Sequence, residues 1–288
     1  MTSVQSVRTT TWRVPRMFSV LFAFVGILNA VAAQELWHLP SISSTSQVFS
    51  AFHASHQTNT EALSVVSDPA GGSGHVLRAH YPKGSYSHSS GINVIQFYAT
   101  PIPSHTSVKL SYDVYFSENF DFVKGGKLPG LWGGATGTCS GGRHSEECFS
   151  TRFMWRTGGA GEVYGYITRS HQRSDLCDQP DVHCDPVYGS SLGRGKWHFR
   201  KGQWQNIAQL VHLNTPGKAD GYIKVYLDGS LVFELNNVAI RSKESIEISG
   251  IFFSTFFGGS DSSWAATVDC YSYFKNFVLA AVDEHPVG

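Results

Sequence analysis

Five stretches of this sequence alternate apolar and polar residues with a period of two. They are SVKLSYDVYFS (107–117), QNIAQLVHLN (205–214), GYIKVYLDGSLVFEL (221–235), SGIFFSTFFG (249–258) and VDCYSYFKNFVLA (268–280). That period places successive side chains on opposite faces of an extended strand, and helical periodicity is nearly missing. Within the third stretch, Asp228-Gly229 is a two-residue hairpin signal. No repeat, linker or low-complexity segment interrupts the pattern. Many short strands separated by Gly-rich turns predict an all-β fold, a jelly-roll β-sandwich of two antiparallel sheets. One sheet of such a sandwich can curve, and its concave outer face then forms a substrate groove for an extended polymer. His212, inside the second stretch, reads as a satisfied sheet residue.

The first 33 residues read as a secretory signal peptide. Arg8, Arg13 and Arg16 precede the apolar run MFSVLFAFVGIL, and NAVAA offers small residues for cleavage before Gln34. The run is short for a membrane span; an N-terminal anchor is the alternative. A secreted, extracellular domain of residues 34–288 is expected, monomeric and without a membrane association after cleavage. Without the three leader arginines, 19 Lys and Arg face 22 Asp and Glu, a formal −3. This is not the balance of a nucleic-acid-binding protein. Yet residues 121–201 hold 11 of those 19 cations against 8 acids. A local positive field on a mildly acidic protein suits an anionic ligand in one groove.

All five cysteines follow the leader, where disulfides are permitted. Short spacings suggest Cys139–Cys148 and Cys177–Cys184, each closing a surface loop. Cys270 shares strand parity with Val268, Phe274 and Val278 and is expected as a buried free thiol. A zinc site from Cys177, His183 and Cys184 is the sharper alternative, but its spacing fits no zinc pattern and no metal is expected. No Asn-x-Ser/Thr sequon with a permitted middle residue occurs.

The most informative stretch is STRFMWR (150–156), followed after five turn-like residues by EVYGYIT (162–168). Strand parity puts Ser150, Arg152, Met154 and Arg156 on one face, with Phe149, Thr151, Phe153 and Trp155 on the other. In the second strand Glu162, Tyr164, Tyr166 and Thr168 share a face. With TGGAG (157–161) as the turn, Arg156 would oppose Glu162, Met154 would oppose Tyr164, and Arg152 would oppose Tyr166. Arg156–Glu162 is then an ordinary ion pair, whereas Arg152 beside Tyr166 has no bland partner. Upstream, Lys127 lies in a Gly/Pro-rich approach beginning the apolar KLPGLW, where partial desolvation would lower its pKa.

One lysine, one arginine, one serine and two tyrosines on one surface suit β-elimination beside a uronic acid carboxylate. The C5 proton of the sugar leaves only if that carboxylate is neutralised and the enolate-like charge stabilised. A guanidinium can hold the carboxylate, cations and hydroxyls can stabilise the charge, and a base and an acid complete the transfer. Tyrosine beside a cation could serve as either, its pKa lowered by the charge. Lys127, Arg152, Tyr164 and Tyr166 are the catalytic candidates. Ser150, Lys124, Gln96 and Arg143 are candidates for binding substrate, with His88 a further contact. A glycoside hydrolase would need two suitably spaced carboxylates; ESIEIS (244–249) separates its acids by three and puts them on opposite faces. A non-catalytic, lectin-like jelly roll remains the other alternative.

The ordered set GGKLPGL, CFSTRFMWR and GAGEVYGYI, with YPKGSY (81–86) before it and GYIKVYLDG after it, resembles the family-14 polysaccharide lyases. The resemblance implies a β-jelly-roll lyase, secreted or viral, acting on alginate or glucuronan; the elimination chemistry itself requires no metal or organic cofactor. It aligns the family's functional lysine with Lys127, its serine and arginine with Ser150 and Arg152, and its paired tyrosines with Tyr164 and Tyr166. It is dense over 125–168, and segment 170–202, with CDQPDVHC, does not match.

Overall fold

In a computed structural model, residues 1–2 and 33–282 are described. The expected leader lies, but for its ends, outside the described residues. By its contacts the chain divides into Met1–Val31 and Ala32–Gly288, and the fold below is that of the second unit.

Its strands are β1 (Ala33–His38), β2 (Ala54–Thr58), β3 (Leu63–Ser67), β4 (His75–Tyr81), β5 (Ile95–Ala99) and β6 (Ser107–Phe116). There follow β7 (Gly125–Gly134), β8 (Cys148–Arg156), β9 (Gly161–Tyr166), β10 (Val182–His183) and β11 (Ser190–Leu192). The last are β12 (Trp204–His212), β13 (Gly221–Leu227), β14 (Ser230–Val238), β15 (Ile248–Phe257) and β16 (Cys270–Val282). One sheet runs β14-β13-β12-β6-β16-β4-β3, with β1 also on β16; the other runs β10-β11-β9-β8-β7-β15-β5-β2. All pairs are antiparallel. This is the jelly-roll sandwich that the alternating runs predict.

The two sheets bury their facing side chains differently on their outer sides. Along β6 the burial alternates, with Val108, Leu110, Tyr112 and Val114 inside and the residues between them half-exposed. Such a strand has one face in the core and one in solvent. β7 and β8 are buried almost throughout. Their inner side chains fill an aromatic core in which Trp155 meets Phe116, Phe120 and Phe257 at 5.3–5.7 Å between ring centres. A Cβ on Gly126 would lie 2.1 Å from the Trp155 ring, so glycine there makes room for the indole. Their outer side chains, among them Lys127, Ser150, Arg152 and Met154, are buried as well.

Asp228 and Gly229, both at positive φ, turn between Leu227 and Ser230 as their sequence predicts. Both expected disulfides, Cys139–Cys148 and Cys177–Cys184, are formed, and Cys270 is a buried free thiol. The parity used to bury Cys270 fails at both ends, however. Val268 is exposed and Val278 only half-buried, while Phe277 and Leu279 point inward. A bulge between Lys275 and Val278, with Asn276 at φ 54°, shifts the register and reverses the faces.

Candidate active site

The floor of the candidate site is the outer face of the central strands β9, β8, β7, β15 and β5. Its side chains form rows across the sheet. One row joins Glu162, Met154, Lys127 and Phe256; the next joins Ser191, Tyr164, Arg152 and Gly130 and continues to Phe252 and Tyr98. A third joins Tyr166, Ser150 and Trp132. All five residues singled out by the hairpin and its approach therefore share one surface.

The hairpin register differs from that expected. Arg152 opposes Tyr164, Ser150 opposes Tyr166 and Met154 opposes Glu162. Gly161 is the cause: it reads as turn but belongs to β9, where its backbone bonds Trp197 and Gly195. A Cβ there would lie 1.9 Å from the Trp197 indole nitrogen. The turn moves back by one residue, to 156–160, and every pair slips by two in its sum. Because an even slip preserves parity, the faces survive while the neighbours change. Arg156 and Glu162 still pair, at 2.6 Å, across a diagonal.

Lys127 lies in strand β7, not in a loop. A register shift between Leu128 and Gly130 accommodates Pro129, whose carbonyl accepts the Tyr112 hydroxyl. The lysine is 7% exposed. Its amine donates to the Met154 sulfur and stands 3.7 Å from the centre of the Tyr164 ring. Burial, with Arg152 and Arg156 nearby, pushes the amine well below its ordinary pKa, as expected, while Glu162 pulls the other way.

Arg152 is 2% exposed. Gly130 beside it carries no side chain, and the guanidinium lies 4.5 Å from the Phe252 ring centre and donates through Nη1 to Ser254. Its Nε is buried without a hydrogen-bond partner, an orphaned donor in the floor of the site. It is a buried charge rather than the open fork that sequence suggests.

The tyrosines, 5.7 Å apart edge to face, differ in environment. Tyr164 is half-buried between Lys127 and Arg156, whose guanidinium is 5.7 Å from its ring. Its pKa is raised, by burial and then by Tyr166, with Arg156 opposing; the cation-lowered tyrosine expected from sequence is corrected here. Desolvation outweighs the neighbouring charges. Tyr166 is 2% exposed, and its hydroxyl accepts the Gly142 N–H at 2.8 Å. Ser150 donates to the Cys139 carbonyl, so both residues tie the 139–148 disulfide loop to the floor.

The outlying candidates are less closely gathered. Gln96 lies on the same floor, opposite Ser254. Lys124 precedes β7 and donates to Ser263. Arg143 lies exposed in the disulfide loop and donates to the Gly137 carbonyl, and His88 contacts the Gly259 carbonyl. Segment 170–189 borders a cavity of about 370 Å³ at the β9 end, lined by His144, Arg169, Arg173 and the Cys177–Cys184 pair among others.

Sequence reasoning missed the aromatic wall of Tyr98, Phe252 and Trp132, in which Tyr98 stacks on Phe252 at 4.2 Å. Tyr98 shares the parity of Gln96 and could have been found that way; Trp132 could not, because the Pro129 bulge intervenes. The acids of ESIEIS precede β15 and take no part in the floor. Among the described residues of the rows above, the carboxylate is Glu162, fully buried and paired to both Arg156 and Arg194. No group of three or more potential metal ligands occurs among the described residues.

Comparison with known proteins bears on this geometry. Residues 69–277 match the family described as Polysaccharide lyase 14. The crystal structure of the marine PL-14 alginate lyase from Aplysia kurodai is 42% identical, with a TM-score of 0.79 over 86% of this chain and 100% of that one. Alginate lyase vAL-1 from Chlorella virus has a TM-score of 0.68 over 84% of this chain and 100% of its own, a likeness of fold at 21% identity. Exolysin of Paramecium bursaria Chlorella virus 1 is 27% identical over 199 residues, which is 62% of this chain but 30% of that protein's length.

Proposed function

This chain belongs to the polysaccharide lyase 14 family, and from that membership and the site geometry we propose that it cleaves a 1,4-linked polyuronate, alginate, by β-elimination. The observation that carries the reading is the Lys127 amine, buried against the Tyr164 ring among arginines, with no pair of free carboxylates beside it. Alginate is named because the relative of 42% identity is an alginate lyase.

A uronate carboxylate settles over Arg152, whose charge acts strongly because it is withdrawn from water. Lys127, whose pKa burial pushes down, takes the C5 proton through the neutral form of its amine. The electron pair left on C5 forms the C4–C5 double bond as the C4–O bond breaks. Tyr164, whose raised pKa keeps its phenol protonated, gives its proton to the leaving oxygen. Proton return from Lys127 to Tyr164, directly or through water, restores both groups. Tyr166 and Ser150 hold the disulfide loop over the site. Secretion fits the charged apolar leader and the two disulfides.

Incubation with alginate, glucuronan and a neutral glucan, followed by ultraviolet absorbance of the new double bond, tests this. Absorbance should grow with alginate; reducing ends without absorbance would replace elimination by hydrolysis, and growth with glucuronan alone would change the substrate.

A further inference from the structure

Glu162 is a buried carboxylate to which the mechanism above assigns no step. It is 0% exposed. Arg156 reaches one of its oxygens through Nε at 2.8 Å and Nη2 at 2.6 Å. Arg194, from the loop after β11, reaches the other through Nε at 2.6 Å, and the Ser191 hydroxyl donates to the same oxygen at 2.5 Å. One side chain thus joins β8, β9, β11 and a loop distant in sequence.

Structural glue is a poor account of this arrangement. A buried ion pair commonly adds no net stability over an apolar replacement of equal volume, because desolvation consumes the attraction. Its position is the better guide. Glu162 is two residues from Tyr164 and directly opposite Met154, whose sulfur receives the Lys127 amine. Arg156, held by Glu162, lies over the same Tyr164 ring as that amine. Without the carboxylate, Lys127, Arg152 and Arg156 would converge on Tyr164 with no fixed counter-charge.

We propose that Glu162 is a positioning residue for the elimination: by clamping Arg156 and Arg194 it holds the Tyr164 side of the site and sets the field in which Lys127 works. This rests on the function proposed above. The charged and titratable groups facing Lys127 are Arg152 and Arg156 from β8 and Glu162 and Tyr164 from β9; Phe256 flanks it from β15. Glu162 favours the protonated amine and Arg156 disfavours it. Removing the two partners of one ion pair therefore has opposite consequences, whereas a merely structural pair would give effects of one kind.

The test compares pH–rate profiles of wild type, Glu162→Gln, Arg156→Gln and Arg156→Lys on alginate. The limb belonging to Lys127 should move to lower pH in Glu162→Gln and to higher pH in Arg156→Gln, each by on the order of one pH unit, and stay in place in Arg156→Lys. Glu162→Gln should also lose about tenfold or more in kcat with KM little changed. Carbon-detected NMR titration of Lys127 in lysine-labelled protein reads the same signs without turnover. Shifts in one direction for both neutral variants, or none, overturn the proposal whatever happens to Tm. If Glu162→Gln does not fold, the Arg156 pair decides alone. A wild type without lyase activity would overturn the proposed function, and the NMR signs would still decide the field of Glu162.

Discussion

The Lys127 amine rests 3.7 Å from the centre of the Tyr164 ring, although neither residue is the other's direct cross-strand partner. Lys127 opposes Met154 and Tyr164 opposes Arg152, so the contact is a diagonal one between adjacent rows. The ring favours the charged amine, while burial, Arg152 and Arg156 favour the neutral one and lower its pKa. In the proposed elimination the lysine is the base and the tyrosine the acid.

Burying Lys127 should cost stability. Its folded pKa lies below the unfolded value of about 10.4, so between the two the unfolded chain binds more protons. Stability therefore rises with pH across that window. Lys127→Met should abolish turnover, flatten this rise, and raise the neutral-pH Tm by about 2–4 °C for each kcal/mol recovered. Thermal unfolding of both proteins from pH 7 to pH 10 checks this; a variant less stable than wild type at pH 7 would contradict it.

The two tyrosines should separate on substitution. Tyr164→Phe removes the proposed acid and should lower kcat by about a hundredfold to ten-thousandfold, with KM little altered. Tyr166→Phe removes only the bond from Gly142, costing about 1 kcal/mol of stability and about tenfold in rate at most. Steady-state kinetics that rank them the other way would reassign the acid.

The Cys139–Cys148 bridge should matter to both stability and rate. It closes the loop whose Cys139 carbonyl and Gly142 amide hold Ser150 and Tyr166. Replacing both cysteines by serine should cost roughly 2–3 kcal/mol for a loop of this size, and kcat should fall even well below the new Tm. Unchanged kcat there would free the loop of any role in the site.

What sequence could show was set by local rules. Period-two alternation, the Asp228-Gly229 turn and the close cysteine pairs each depend on a few neighbouring residues, and they hold in the structure. The shared face of Arg152, Met154, Tyr164 and Tyr166 also follows from parity alone. The register did not, because Gly161 enters a strand only when Trp197, distant in sequence, packs against it. Lys127 was hidden in its strand by Pro129, which sequence reads as a loop signal and the structure absorbs in a bulge. Nor could sequence weigh burial against charge at Tyr164, or foresee Arg194 reaching Glu162 from another strand's loop.

Mass spectrometry of the products from alginate tests elimination most directly. Elimination leaves each new non-reducing end one water lighter than hydrolysis does, because no water enters the broken bond. The wild-type protein should give oligouronates at the unsaturated mass, and Lys127→Met should give none. New oligouronates appearing only at the saturated, water-added mass would contradict the lyase assignment.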